Sequence, residues 1–439
     1  MVAVAGKPRI LHPIERASRE EIEKIQLQRL RETVKRAYEN VPFYRKKLRE
    51  AGVRPEDVKS LEDVRKLPFT VKNDLRENYP YGLFAVPLSE ILEVHASSGT
   101  TGKPTVVGYT RRDLDNWAEL MARSLAAAGV TREDIVYIAL GYHWFTGGLG
   151  FHYGAQRLGA LAVPAGTGFT QRHVMMIRDL GATVLAAVPN YALRLAEVAL
   201  EMGVDPARDT KARTGVFGAE MWSEELRRRI NKLWDMDSYD IYGMSELYGP
   251  GTAMECHLHD GLHVWEDHYL VEVVDPKTGE PVEPEEKGVL VVTPLTHDAM
   301  PLLRYWTNDI TFIYDSRSCD CGRTMRRIGR IVGRADDMLV INGVNVFPSA
   351  VEEVLLSEPR VNHHYQIVVE REGNLDRMYV FVEAARKMSE EEKQRLASEL
   401  QYRLHEVLMI NPRVRVLDPG ELPRQEGGKA KRVIDRRRL

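Results

Sequence analysis

Apolar positions recur at helical spacing near the start of the chain. Leu27, Leu30, Val34 and Ala37 share one face in a stretch that reads as helix over residues 15–50. Ser18 and Glu21 form a capping box at its start, and Val41-Pro42-Phe43-Tyr44 ends the run. Leu67-Pro68-Phe69-Thr70 opens a second helix, with Thr70 expected to cap Val71-Lys72-Asn73-Asp74-Leu75. Residues 106–110 read as a short strand and 113–128 as an amphipathic helix. An unbroken apolar run appears at 135–140, a further buried strand at 183–188 and a strand at 214–218, with Ala162-Val163-Pro164 between the first two. Runs of this kind suit strands buried on both faces of a parallel sheet. Helical segments alternate with them: a helix end at 156–159, then 174–180, 191–202 and 224–234. The βαβα alternation predicts a large α/β domain with a parallel sheet.

From Leu262 the pattern changes to short alternating strands at 263–265, 270–274 and 288–292, with a turn at Asp275-Pro276-Lys277-Thr278-Gly279. This predicts a β-rich subdomain over about residues 250–330. Gly329 to Asp337 reads as a polar, glycine-flanked joint. Beyond it, strands at 338–341, 365–370, 378–382 and 413–417 and helices at 349–357 and 389–408 predict a small α+β domain. The expected division is therefore 1–333 and 334–439.

The 439 residues are enough for two or three domains with sizeable cores. A net charge of −3 gives no reason to expect nucleic acid or an anionic membrane as partner. The most apolar region, 181–200, is broken by Pro189, Asn190 and Arg194, so no window approaches the ~18 apolar residues of a membrane span. Residues 1–21 lack the apolar core of a secretion signal. A cytoplasmic protein is expected. Three cysteines, an odd number, argue against a disulfide framework.

The chemistry concentrates in a few stretches. Ser97-Ser98-Gly99-Thr100-Thr101-Gly102-Lys103-Pro104-Thr105 gathers hydroxyls, glycines and a lysine. Consecutive backbone N–H groups in such a turn form a nest for phosphate. Its spacing is not that of a Walker A loop, and alone it reads equally well as a polar turn. Gly218-Ala219-Glu220 lies at a strand end, where open α/β sheets bind ligands. Asp240-Ile241-Tyr242-Gly243-Met244-Ser245-Glu246 offers an aromatic face, a hydroxyl and a carboxylate suited to Mg²⁺. Asp309 could bind ribose hydroxyls, and Gly427-Gly428-Lys429 carries a lysine in the C-terminal tail. Cys256 and the Cys319-x-Cys321 pair, with His257, His259 and His263 near the first of them, give three sulfurs and an imidazole for a structural Zn²⁺ site. His263, at a strand start, is favoured over His259 as the fourth ligand. Tyr142, Phe145 and the Gly147-Gly148 pair follow an apolar strand and suit an aryl pocket.

Taken in order, these stretches resemble the adenylate-forming superfamily, and more closely its phenylacetate–CoA ligase family. Ser97 to Thr105 looks like the phosphate loop, Tyr242 to Glu246 like the Tyr-Gly-x-Ser/Thr-Glu motif, Arg334-Ala335-Asp336-Asp337 like the hinge, and Gly428-Lys429 like the catalytic lysine motif. Phe145 to Gly154, Gly261 to His268 and Gly343 to Pro348 read like the narrower family. The resemblance implies a mobile C-terminal domain and an AMP-forming aryl-CoA ligase using ATP, Mg²⁺ and coenzyme A. Phenylacetate is the first expected acid; benzoate, hydroxy- or aminobenzoate and indoleacetate are alternatives. It implies phosphate contacts from Ser97, Ser98, Gly99, Thr100, Thr101, Gly102 and Lys103. Gly218, Ala219 and Glu220 would edge the adenine and acyl pockets, with Asp240, Ile241, Tyr242, Gly243 and Ser245 also at the nucleotide. Glu246 would hold Mg²⁺, Asp309 and Arg334 the ribose, Asp336 would be the hinge pivot, and Lys429 would bridge the carboxylate and α-phosphate. A homodimer is implied as well. Trp306 departs from the family's Tyr-Arg-Thr-x-Asp pattern. A non-catalytic adenylate-binding module is the reading from a different class; Lys429 and Glu246 argue against it, since such a module needs neither.

Overall fold

The computed structural model describes residues 10–97, 103–316, 318–336, 339–342, 344–372, 375–423 and 432–437. The chain separates into two compact units, one of residues up to 219 with 233–330, the other of 220–232 with 331–439. None of the helices among the described residues is long and apolar enough to cross a membrane.

In the first unit α1 (Arg19–Asn40) opens on the expected capping box: Ser18 N donates to Glu21 at 2.8 Å, and Glu21 N donates back to the Ser18 hydroxyl at 3.3 Å. Its inward face buries Ile22, Leu30, Val34 and Ala37. Pro42 starts a separate helix, α2 (Pro42–Glu50), as its fixed φ favours. Before α3 (Lys72–Glu77) the cap is Val71, not Thr70. Thr70 is instead buried, and its hydroxyl donates to Leu303 O at 2.7 Å. The tertiary acceptor outcompetes the local one.

The hairpin β1 (Glu93–Ala96) and β2 (Val106–Tyr109) precedes α4 (Arg111–Ala127), β3 (Ile135–Ile138), α5 (Gly147–Leu158), β4 (Leu161–Pro164), α6 (Thr170–Asp179), β5 (Val184–Ala187), α7 (Pro189–Glu201), α8 (Pro206–Asp209), β6 (Thr214–Gly218), α9 (Glu224–Trp234) and β7 (Asp237–Met244). Helix α5 ends at Leu158 with Gly159 as its C-cap, where the sequence places a helix end over 156–159. Glycine disfavours helix locally, but Gly150 and Gly154, one turn apart, let α5 lie against α4. A Cβ at Gly150 would sit 2.7 Å from Trp117, and one at Gly154 2.5 Å from Met121.

Strands run in the order β4-β3-β5-β6-β7 in parallel. The sheet then turns antiparallel through β8 (Gly249–Glu255), β9 (Leu262–Val264) and, at its edge, the later strand β13 (Arg327–Ile328). A second, antiparallel sheet holds β10 (Tyr269–Val274), β11 (Gly288–Pro294) and β12 (Tyr305–Thr311). The region 250–330 is thus divided between two sheets rather than forming one β-rich body, because β8 and β9 complete the large sheet.

The second unit contains β14 (Gly333–Arg334), a β15 (Leu339–Ile341) and β16 (Val344–Val346) hairpin, α10 (Pro348–Leu356), β17 (Val361–Glu372), β18 (Leu375–Ala384), α11 (Glu390–Leu408), β19 (Arg413–Leu417) and β20 (Val433–Asp435). Its four-stranded sheet has the order β19-β18-β17-β20. Val351, Leu355, Ile367, Val380, Leu396 and Leu400 form its core.

Buried charge fastens the chain start to the first unit. Arg323 Nε donates to Glu15 Oε2 at 2.8 Å, and both side chains are fully buried. Removing one member of such a pair strands the other charge. Glu15→Ala is expected to lower unfolding stability by about 3–5 kcal/mol and Glu15→Gln by less, both read from urea denaturation midpoints.

Candidate active site

Ser97 and Thr105 flank the inner ends of the β1–β2 hairpin. Its neck is closed by Ser97 N donating to Thr105 O at 2.9 Å and Thr105 N donating to the Ser97 hydroxyl at 3.1 Å. Ser98, Gly99, Thr100, Thr101 and Gly102 lie outside the described residues, as does Lys429. Lys103 is exposed, its Nζ 5.6 Å from the Tyr79 ring centroid. Thr105 is buried, and its hydroxyl donates to Glu246 Oε1 at 3.0 Å. That contact joins two sequence motifs 141 residues apart.

Glu246 is buried on the short turn Ser245–Leu247 after β7. The Ser245 hydroxyl lies 3.4 Å from that of Thr146, and its carbonyl accepts from the Tyr109 hydroxyl at 3.4 Å. Burial holds the Tyr109 phenol well above its ordinary range, so it stays a donor. On β7, Tyr242 donates its hydroxyl to Asp309 Oδ2 at 2.7 Å, and both residues are buried. Trp306 does not disturb this pair: its indole N–H bonds Asn308 Oδ1 at 3.0 Å and its ring meets Phe69 edge-on at 5.1 Å. Asp240 pairs through Oδ2 with Arg330 at 3.2 Å, and its N–H donates to Glu255 at 2.8 Å. Ile241 is buried beside Gly218, where a Cβ would lie 2.4 Å from the Ile241 carbonyl oxygen. Ala219 has φ +68°, a left-handed conformation that costs a non-glycine residue about 1–3 kcal/mol and gathers at functional sites.

On the β3–α5 side, a Cβ at Gly148 would meet Gly141 O at 2.7 Å and the Tyr142 ring at 2.9 Å, whereas Gly147 has no neighbour nearer than Leu140 Cβ at 4.0 Å. Phe145 is half-buried between them in sequence and Tyr142. The Tyr142 hydroxyl and His152 Nδ1 are buried without a hydrogen-bond partner among the described residues. Their rings meet edge-on, 6.1 Å apart. Burial pushes the Tyr142 phenol up and the His152 imidazole down, so both are neutral at pH 7.

At the edge of the large sheet Cys256, His263, Cys319 and Cys321 bring their ligand atoms within 4.8 Å of one another. Cys256 Sγ lies 3.8 Å from Cys319 Sγ, and Cys321 Sγ lies 3.4 Å from His263 Nε2. His259 turns away, to Asp237 at 3.0 Å and Glu255 at 3.3 Å. In the second unit Arg334 and Asp336 pair with each other through two contacts of 2.8 and 2.9 Å. Glu220 belongs to that unit's 220–232 segment.

Several residues of this geometry carry no motif in the sequence. Glu255 contacts Asp240 from the neighbouring strand β8, and Arg330 does so from the segment after β13. Glu93 and His95 had a signal, since residues two apart on a strand share a face.

The profile of AMP-binding enzymes matches residues 19–294, and that of the AMP-binding enzyme C-terminal domain matches residues 343–437. The chain is 49% identical to the phenylacetate-coenzyme A ligase of Thermus thermophilus, over 97% of this chain and 99% of that protein. It is 46% identical to the phenylacetate-coenzyme A ligase of Escherichia coli, over 98% of each. Among solved structures, 2-hydroxyisobutyryl-CoA ligase in its postadenylation state gives a TM-score of 0.90 at 30% identity, covering 98% of this chain and 95% of that one. The same ligase in its thioesterification state, with coenzyme A, gives 0.71 at 31% identity, covering 96% and 91%.

Tyr242→Phe removes a hydroxyl donor from the buried Asp309 carboxylate. A bond to a charged group of this kind is worth about 1.5–3 kcal/mol, and the variant is expected to lose that much unfolding free energy in denaturant titration.

Proposed function

This chain belongs to the phenylacetate–coenzyme A ligase family of AMP-binding enzymes, and we propose that it joins an aryl acid, phenylacetate first, to coenzyme A with cleavage of ATP to AMP and pyrophosphate. The observation that carries the reading is the Thr105–Glu246 hydrogen bond, which ties the phosphate-loop neck to the carboxylate of the Tyr-Gly-Met-Ser-Glu turn.

In the first half-reaction a carboxylate oxygen of the acid attacks the α-phosphorus of ATP. The bond from that phosphorus to the bridging oxygen breaks, leaving an acyl-adenylate and pyrophosphate. In the second, the coenzyme A thiol attacks the acyl carbon and loses its proton to water, and AMP leaves as the single bond from the acyl carbon to the AMP phosphate oxygen breaks. Positioning and charge stabilisation carry most of such a transfer. Tyr242 offers the adenine a flat face. Asp309, already oriented by the Tyr242 hydroxyl, is the ribose acceptor, with Arg334 as a further contact. Ser97 to Lys103 hold the β- and γ-phosphates. Gly218, Ala219, Glu220, Asp240, Ile241, Gly243 and Ser245 complete the nucleotide side. Tyr142, Phe145, Gly147, Gly148 and Ala219 form the acyl side. Glu246, with the Thr105 hydroxyl beside it, is an all-oxygen donor set of the kind Mg²⁺ prefers. Bound there, Mg²⁺ would neutralise charge on the phosphates. Lys429 bridges the carboxylate and α-phosphate, and Asp336 is the pivot on which the domain of residues 334–439 turns against 1–333 between half-reactions. On family resemblance the proposal extends to a cytoplasmic homodimer.

The reading includes a structural Zn²⁺ on Cys256, His263, Cys319 and Cys321. A tetrahedron with Zn–S of about 2.3 Å and Zn–N of about 2.0–2.1 Å has edges of about 3.8 Å between sulfurs and about 3.5 Å from sulfur to nitrogen. The corresponding separations are 3.8 and 3.4 Å.

Incubated with ATP, coenzyme A and phenylacetate, the purified protein is expected to form AMP and pyrophosphate, and Lys429→Ala to lower acyl-adenylate formation by about 10²–10³ or more. No turnover across a panel of phenylacetate, benzoates and indoleacetate would end the ligase reading in favour of a binding module. Elemental analysis is expected to find about one zinc per chain after mild chelator washing, as a closed four-ligand site retains its metal. Cys319→Ser should lose that zinc together with several degrees of Tm, and protein without near-stoichiometric metal would remove the claim.

A further inference from the structure

Glu93 and His95 project from the same face of β1, and the phosphate-loop stretch begins two residues later. His95 is only 2% exposed. Its Nε2 lies 2.5 Å from Glu93 Oε1, and its Nδ1 lies 3.2 Å from the Trp144 carbonyl oxygen. Both partners are acceptors. A neutral imidazole supplies one N–H and one lone pair, so the two contacts together require a further proton, shared between His95 and Glu93. The other Glu93 oxygen accepts the Tyr153 hydroxyl at 2.6 Å. Burial opposes the Glu93 charge, but hydrogen bonds from His95 and Tyr153 outweigh it and hold the carboxyl below its usual range.

This network joins three pieces of the first unit. One is β1, which feeds the phosphate loop. The second is the 139–146 connection, which carries Tyr142 and Phe145; its Trp144 carbonyl also accepts Ala96 N–H at 2.8 Å. The third is α5, which carries Tyr153. Tyr109 and Trp117 wall the His95 ring edge-on at 5.4 and 5.9 Å. A buried ionic pair adds little stability over an apolar replacement. What it adds is direction: two hydrogen bonds fix the ring and, through it, the backbone on both sides.

We propose that His95, oriented by Glu93 and Tyr153, is a positioning residue that locks the phosphate-loop strand to the aryl-side connection, so that the ATP phosphates and the acid carboxylate are presented in one register. The acid arm of this proposal rests on the ligase reading; the nucleotide arm is read without any acid.

The test compares Glu93→Ala, His95→Ala, Glu93→Gln and Tyr153→Phe in the full chain, with ATP and AMP affinities measured by calorimetry. In Glu93→Gln the amide nitrogen donates to a neutral His95 Nε2 and the amide oxygen accepts from Tyr153, so the network survives without the shared proton. Both alanine variants are expected to weaken ATP about tenfold, the cost of one buried hydrogen bond, and AMP by less than about twofold. Glu93→Gln should stay within about threefold of wild type for ATP. Acid-dependent pyrophosphate exchange should fall in the alanine variants with a raised KM for the acid and recover in Glu93→Gln. Retained AMP binding reports an intact fold. Should either alanine variant lose AMP binding, Tyr153→Phe, which deletes a single hydroxyl, decides: a lowered ATP-to-AMP affinity ratio supports the proposal. An unchanged ratio in the folded variants, or a Glu93→Gln as impaired as Glu93→Ala, overturns it. Wild-type protein that exchanges no pyrophosphate with any acid would end the ligase reading, while the affinity ratio would still decide the role of His95.

Discussion

The candidate site depends on one strand reversal. Strands β3 to β7 run parallel, and β8 turns back along β7. At the turn the two backbones come so close that a Cβ on Gly243 would lie 2.0 Å from the Gly249 carbonyl oxygen. Only glycine fits, and the register shifts between Tyr242 and Gly243. The shift lets Tyr242 keep its side chain toward Asp309 while the following Ser245–Leu247 turn carries Glu246 to the phosphate-loop neck. Tyr248, next in the chain, sits at φ +78°, where a bulky residue persists only if its surroundings hold it. They do: its hydroxyl donates to Thr296 O at 2.7 Å and its ring stacks on His297 at 4.5 Å. The change from parallel to antiparallel pairing is a topological break, and breaks of this kind create ligand crevices at strand ends.

What the sequence revealed and what it hid follow from the range of the forces involved. Local signals held. Ser18 and Glu21 cap α1 as expected, and the strand read at 214–218 is β6 residue for residue. The cysteines and His263 meet although they come from segments more than fifty residues apart; ligand chemistry is legible at any separation. Thr70 was misread for the opposite reason. Thr70 has the chemistry of a cap but finds Leu303 across the fold. The glycines of α5 argue against helix until Trp117 and Met121 are in place to need them. Long-range polar partners such as Arg330 for Asp240, or Arg323 for Glu15, left no trace in the sequence, since an ion pair imposes no periodicity on the segment of either partner.

Those distant ion pairs share a task. Arg323–Glu15, Arg19–Glu266 and Arg123–Asp267 fasten the chain start and α4 to residues 266–323, and Arg304–Glu272 ties β10 to the segment that enters β12. Within this set His268, beside Asp267, is held down to about 4 by burial, so it is neutral at pH 7 and bonds the Thr296 hydroxyl at 2.8 Å. Apolar faces hold such segments together without fixing their register; a bidentate guanidinium–carboxylate pair fixes it. The registry matters because β12 brings Asp309 to Tyr242, and a slip of one residue would turn Asp309 to the opposite face.

The two proposed metal sites sit at opposite ends of one strand. β8 leaves the Ser245–Leu247 turn at Gly249 and ends at Glu255, directly before Cys256. Seven strand residues span about 20–24 Å. At the near end the donors are carboxylate and hydroxyl oxygens, which suit Mg²⁺; at the far end they are three sulfurs and an imidazole, which suit Zn²⁺. Hard and soft donors are thus segregated, and neither ion competes for the other's ligands. The far end also touches β7 directly, since Glu255 accepts the backbone N–H of Asp240 at 2.8 Å. A metal that clips Cys256 to Cys319 and Cys321 therefore restrains β8 where it meets β7, three residues before Gly243. The cysteine cluster bears on the same strand reversal from which Tyr242 and Glu246 take their positions.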